Sequence, residues 1–232
     1  MSYNIMQAVI LTAGRGKRMK NLTEKKNKNM LKVNGKPILK YKLDSLPKEI
    51  DEIIFVIGYH GDEIRRQFGK KYKGRKISYV EQKKLNGTGG AIHKAKKLLK
   101  GRFLVIYGDD LYHKDDIEEI IKFDLAILAK EIKDVTRFGI LKTDKNGHLV
   151  DIIEKPKKSK SKLAAIGLFL LNKDFFKYKL VSIGGGEFGL PQTLARMSKE
   201  HKIKIIKAKR WHPIGHLEDL KSAGKNLHKF IK

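Results

Sequence analysis

The 232-residue sequence contains no cysteine. That absence excludes a disulfide scaffold, Cys-ligated zinc, an iron-sulfur cluster and a thiol nucleophile. It also suits a reducing compartment, so the cytoplasm is the expected location. Long apolar runs are missing too. The longest early one, Met6 to Ala13, lies between Asn4 and Gly14 and falls far short of the roughly 18 residues that span a bilayer. No membrane span, signal peptide or transit peptide is expected. Acidic residues are scarce: 25 Asp and Glu stand against 52 Lys and Arg, a formal net charge of +27. Such a surplus attracts polyanions without choosing among nucleic acid, anionic lipid and nucleoside triphosphates. The lysines are spread through every segment and no basic patch interleaved with aromatic residues stands out, so nucleic acid is not an expected partner.

What the chain does have is 41% hydrophobic residues, enough to bury a full core in one domain and too many for general disorder. Period and punctuation show short β-branched runs alternating with helical stretches. Met6 to Thr12, Ile53 to Ile57, Ile77 to Val80 and Phe103 to Tyr107 read as buried strands. Pro37 to Ser45, Asp62 to Phe68 and Gly90 to Leu99 read as helices, the last with Ala91, Ile92, Ala95, Leu98 and Leu99 on one face. This alternation predicts a mostly parallel sheet with helices on both faces. After residue 124 the texture changes. Leu125 to Ala129, Phe138 to Leu141, Leu149 to Ile153 and Ala164 to Leu171 read as strands, with a turn at Asp144 to Gly147. A helix near Leu190 to Glu200, a strand at Ile203 to Ala208 and a terminal helix from about Leu217 complete the chain. One domain is expected, with residues 1–123 as a nucleotide-binding half and 124–232 as a second half.

Open α/β sheets bind ligands beyond the carboxyl ends of their strands. After the first strand comes Ala13-Gly14-Arg15-Gly16-Lys17-Arg18-Met19. It is not a dinucleotide fingerprint, because Met19 occupies the third glycine position, and it lacks the Gly-Lys-Ser/Thr of a P-loop. What remains is a glycine-rich turn whose backbone N–H groups approach phosphate oxygens, with Arg15, Lys17 and Arg18 adding charge.

The continuation is more specific. Leu11 to Met19, then Leu22-Thr23, Lys28-Asn29-Met30-Leu31 and Gly35-Lys36-Pro37 together resemble the signature of the sugar-1-phosphate nucleotidyltransferases, in particular the thymidylyl- and uridylyltransferases. The resemblance implies a Rossmann-like α/β fold of the nucleotide-diphospho-sugar transferase type. It implies that Arg18 and Lys28 are the catalytic cations and that Leu11, Ala13, Gly14, Gly16 and Lys17 line the nucleotide. Gln82 and the later Gly87-Thr88 look like the base-reading segment, since an amide both donates and accepts at a pyrimidine edge. Tyr107-Gly108-Asp109 looks like the motif in which Gly108 meets the nucleotide and Asp109 holds Mg²⁺, a hard cation suited to a carboxylate and phosphate oxygens. Gly139, Glu154, Lys155 and Gly167 fall on the sugar-phosphate segment. Trp211 to Asp219 falls on the last motif.

Four positions depart from the pattern. Lys17 replaces a Thr or Ser, Asn29 a Pro, and Ala165 a sugar-contacting Asn. Pro213 stands where the family has a second metal-binding Asp. Either Asp109 holds Mg²⁺ with phosphate oxygens and water, the favoured arrangement because Mg²⁺ often relies on one or two protein carboxylates, or Asp110, His212 or His216 substitutes, or the chain does not turn over. His60, His93, His148 and His201 are expected to be structural or surface residues. The resemblance thus implies transfer of a nucleotidyl group from a nucleoside triphosphate, UTP or dTTP, to a sugar-1-phosphate. Two alternatives are the same fold acting on phosphocholine with CTP, and an inactive module that binds nucleotides or other polyanions. The sequence ends soon after Asp219, so a single activity is expected. Oligomeric state is left open.

Overall fold

Where a strand is apolar at every position, neither of its faces can meet water, and the sheet must be covered on both sides. The first strand, β1 (Met6–Leu11), shows this from Ala8 to Leu11, and its one polar residue, Gln7, is buried with its side-chain amide donating to Glu52 Oε2 and Leu98 O. Ala8 and Ile10 point into one core cluster and Val9 into the other, all fully buried. The computed structural model describes residues 5–230, and in it β1 sits near the middle of a ten-stranded sheet. The other strands are β2 (Ile50–Ile57), β3 (Lys71–Tyr72), β4 (Arg75–Glu81), β5 (Phe103–Tyr107), β6 (Ala126–Glu131), β7 (Gly139–Thr143), β8 (Leu149–Glu154), β9 (Leu163–Leu171) and β10 (Lys204–Lys207).

Their main order is β8-β7-β9-β5-β1-β2-β4-β3, with β6 pairing β9 and β10. The β5-β1-β2-β4 centre is parallel throughout. Strand β9 then joins β5 antiparallel, so the second half extends the same sheet as a mixed one. Helices α1 (Ile38–Asp44), α2 (Gly61–Phe68) and α4 (Lys114–Ile120) cover one face through Leu39, Leu43, Ile64, Phe68, Ile117 and Ile120. Helices α3 (Gly87–Ala95) and α5 (Leu190–Met197) cover the other through Ala91, Ile92, Ala95, Leu190, Leu194 and Met197. Each fully buried Leu, Ile or Met side chain among these contributes about 1.5–3 kcal/mol. A third cluster joins α6 (Leu217–Asn226) to the loop after β1. No helix among the described residues is long and apolar enough to cross a membrane.

The expected strands and helices lie where the periodicity placed them, with shifted ends. The expected Gly90–Leu99 helix begins earlier, at Gly87, and tightens into a 3-10 turn at Lys96–Leu98. That tightening, from 3.6 to about 3 residues per turn, rotates Leu98 out of the apolar face and leaves it exposed. Helix α4 was not anticipated, and neither were three short strand pairs: 32–33 with 36–37, 111–112 with 211–212, and 181–184 with 187–189.

Candidate active site

The carboxyl ends of β1, β4 and β5 open onto a cleft of about 750 Å³. Thr12 starts the loop after β1, its amide and hydroxyl both donating to Val56 O at 2.9 Å. Gly16 turns the chain at φ +65°, which costs glycine little. A Cβ there would lie 2.9 Å from Lys28 Cβ, so the loop rests directly on the Lys28 stem. Met19 is buried with Leu111 and Ile214 and pins the next turn, which leaves Arg18 at the cleft wall beside Gly215.

Lys28 is held from behind. The Asn27 carboxamide donates to Thr12 O at 3.0 Å and Tyr59 O at 2.7 Å, and its oxygen accepts from the Asn29 backbone and side-chain amides. This ties the Lys28 turn to the loop after β1. Lys28 Nζ then donates to Asp109 Oδ2 at 2.5 Å, at the floor of the cleft. Burial pushes the Asp109 carboxyl up, but the charges of Lys28 and Lys42 outweigh it and hold the group below its usual range.

Asp110 points the other way. Its carboxylate accepts from Trp211 Nε1 at 3.0 Å and Ile214 N at 3.4 Å, and its carbonyl accepts from the buried Lys42 ammonium at 2.5 Å. Burial and the neighbouring Asp109 charge push the Asp110 carboxyl up to about 7. Burial brings Lys42 down to about 8.

The structure gathers eleven of the anticipated residues at this one cleft. Leu11, Ala13, Gly14, Gly16, Lys17 and Arg18 come from the loop, Lys28 and Asp109 from the floor, and Gln82, Gly87 and Thr88 from the far wall. Thr88 Oγ1 also accepts from Leu190 N at 3.0 Å, which couples that wall to α5. Gly108 lies behind the floor, its amide bonded to Leu11 O at 3.0 Å and its Cα packed under the Asn29 carboxamide. Gly139, Glu154, Lys155 and Gly167 are not part of this cleft's lining. Gly139 and Glu154 are cross-strand partners. Glu154 accepts from Gln192 Nε2 at 2.8 Å and lies 3.6 Å from Lys155 Nζ. Gly167 breaks the β9 pairing and packs against the Tyr107 ring.

The Nucleotidyl transferase family model matches residues 7–229. The chain belongs to the nucleotidyl transferase family. It is 34% identical over 225 residues to the bifunctional protein GlmU of Methanocaldococcus jannaschii, and it spans about half the length of that relative, 54%. With the UTP–glucose-1-phosphate uridylyltransferase AglF of Haloferax volcanii it shares 28% identity, over 96% of both chains. Its fold matches that of a putative glucose-1-phosphate thymidylyltransferase from Bacillus anthracis, with a TM-score of 0.85 and 25% identity over 95% of this chain and 94% of that one.

The cleft of this nucleotidyl transferase has few acids. Asp109 is the carboxylate on its floor, Glu187 reaches its rim, and among the described residues no three metal-binding side chains cluster. Pro213 offers no ligand. Asp110 is engaged by Trp211 and Ile214, His212 Nε2 contacts Asp219 O at 2.9 Å, and the His216 side chain caps α6. The donor set fits a Mg²⁺ that shares one carboxylate with substrate phosphates, because Mg²⁺ keeps most of its waters and needs no closed protein cage.

The sequence reading missed Ile183 and Glu187, which reach the cleft from the 181–189 hairpin. The signal was present in Gly184-Gly185-Gly186, all at positive φ, a composition typical of a hairpin tip.

Proposed function

We propose that the protein transfers a nucleotidyl group from a pyrimidine nucleoside triphosphate to a sugar-1-phosphate. The observation that carries this reading is the convergence of Arg15, Lys17, Arg18 and Lys28 with Asp109 in one cleft at the strand ends, opposite Gln82. The activity for which AglF is named supports it, since that relative matches nearly end to end.

A sugar-phosphate oxygen attacks the α-phosphorus, the bond from that phosphorus to the bridging oxygen of the β-phosphate breaks, and pyrophosphate leaves with the electron pair. The nucleophile is already anionic at neutral pH, so no general base is required. The protein's work is to align two polyanions that repel each other and to stabilise the charge that moves to pyrophosphate. Arg18 and the loop amides hold the β- and γ-phosphates, Lys28 the α-phosphate, and Lys155 the sugar phosphate. Asp109 would hold Mg²⁺, which when bound would supply positive charge to the phosphates. Substrates of this kind and a cysteine-free chain support a cytoplasmic location.

The test is pyrophosphate release with Mg²⁺ across UTP, dTTP, CTP, ATP and GTP against glucose-1-phosphate, N-acetylglucosamine-1-phosphate, mannose-1-phosphate and phosphocholine. Release that requires a pyrimidine triphosphate and one sugar phosphate is the expected result. Silence across the grid, with a control enzyme active, overturns it.

A further inference from the structure

The Gln82 side chain is buried at the far wall of the cleft, 3% exposed, directly after β4. Its amide nitrogen donates to Asn86 Oδ1 at 2.9 Å and to Gly87 O at 3.1 Å. A backbone carbonyl only accepts, so Gly87 fixes which end of the amide is nitrogen, and Asn86 takes the second N–H. Both donors are spent. None of the described residues donates to Gln82 Oε1, and that atom is not among the fully enclosed unpaired ones. It therefore opens on the cleft as a bare acceptor.

Asn86 is itself held. Its carboxamide nests over Gly90, where a Cβ would sit 1.9 Å from Oδ1. Its backbone carbonyl accepts from Phe188 N at 2.9 Å.

We infer that Asn86 is a positioning residue that sets base selectivity, by holding the Gln82 amide so that only its oxygen faces the base. The inference rests on the nucleotidyltransferase reading and narrows it. A lone acceptor pairs with the N3–H of uracil or thymine. Cytosine presents an unprotonated N3, an acceptor, at the same place. Two acceptors facing each other in a buried wall disfavour cytosine by about 10- to 100-fold. The amide escapes the conflict by turning over, which presents nitrogen to cytosine N3. That turn forfeits two hydrogen bonds while Asn86 is present and only one once its acceptor is gone. Asn86 thus guards against cytosine without touching the base.

The experiment compares UTP with CTP on the full-length chain in two ways: kcat/KM for pyrophosphate release, and nucleotide affinity by calorimetry with Mg²⁺. Asn86→Leu and Asn86→Ala remove the acceptor, while Asn86→Asp keeps it. Thermal melting reports which variants are folded, and the alanine carries the test where the leucine upsets the turn. The expected result is a UTP:CTP ratio that falls about tenfold in the leucine and alanine variants, mostly through gained CTP, and that is retained in Asn86→Asp. An unchanged ratio in a folded Leu or Ala variant overturns the inference, as do UTP and CTP falling together in all three. If pyrophosphate is never released, the transferase reading fails on its own, and calorimetry still reads the ratio. A wild-type chain that binds neither nucleotide overturns both.

Discussion

Lys28 and Asp109 neutralise each other at the floor of the cleft, with Nζ 2.5 Å from Oδ2 and the lysine side chain 8% exposed. In the proposed reaction the two groups have separate partners, an α-phosphate and a hydrated Mg²⁺. The pair is thus a resting arrangement that keeps a buried ammonium compensated until substrates supply other charges. Lys28→Ala is expected to lower turnover about 10²- to 10³-fold, the usual effect of removing one aimed cation. A loss below about tenfold would remove Lys28 from its assigned role.

The same pair has a folding consequence. Lys28→Met leaves the Asp109 carboxylate without its partner, and Asp109→Asn leaves the ammonium without its own. Because Asp109 is 32% exposed and partly hydrated, each single variant is expected to lose about 1–2 kcal/mol in urea unfolding. The double variant is expected to lose less than the sum of the two. Strict additivity would show that the pair contributes nothing to stability.

Lys155 tests the division of labour between the two halves. It follows β8, its side chain is 61% exposed, and it lies outside the nucleotide cleft. Lys155→Ala is expected to raise KM for the sugar phosphate at least tenfold while nucleotide affinity stays within about twofold, since its charge-assisted contact reaches only the acceptor. Steady-state kinetics and calorimetry read the two quantities separately. A parallel loss of nucleotide affinity would place Lys155 on the triphosphate instead.

Arg18, Lys28, Gln82 and Asp109 were legible because they lie in segments that resemble the family's signature and that follow strands announced by their apolar runs. Partners drawn from far along the chain were not. Glu187 reaches the cleft only because the hairpin's Phe188 amide binds Asn86 O, and no local pattern announces a contact across 102 residues. Asn86 itself reads as an ordinary turn residue until its oxygen is seen on the Gln82 amide. Helix α4 was hidden by its composition: in KDDIEEI only Ile117 and Ile120 form an apolar face. Its buried Asp116 is explained by distant backbone, accepting from Lys209 N and Arg210 N. The strands were legible because parallel strands covered on both faces require continuous apolar runs.

Gly167 occupies a sugar-segment position, yet its surroundings also give it a structural task. It adopts φ +78° where β9 loses register, and a Cβ would lie 2.5 Å from Tyr107 Cδ2. Gly167→Ala therefore meets both backbone strain and a ring that is packed against Phe169. The expected loss is about 2–4 kcal/mol of stability. Equal unfolding midpoints for the variant and the parent would show that β9 and Tyr107 can yield, and would leave Gly167 a role at the sugar alone.

Asp44 should set part of the acid limit of stability. It closes α1, and its carboxylate receives Lys36, Lys73 at 2.6 Å and the Tyr72 hydroxyl at 2.8 Å, joining the helix to the edge strand β3. Burial alone would raise its pKa, but these donors outweigh it and bring the group from 3.8 down to about 2. A carboxyl depressed on folding contributes its stability above the unfolded value and loses it as pH falls through the folded one. The window is therefore from about pH 4 down to pH 2. The full shift corresponds to about 2 kcal/mol, and the exposure of Lys73 reduces the expected contribution to about 1–2 kcal/mol. Asp44→Asn should be less stable than the parent by that amount at pH 7, and the two urea midpoints should converge as the pH approaches 2. Midpoints that stay a constant distance apart from pH 7 to pH 2 would show that the Asp44 charge contributes no stability and that the loss comes from packing.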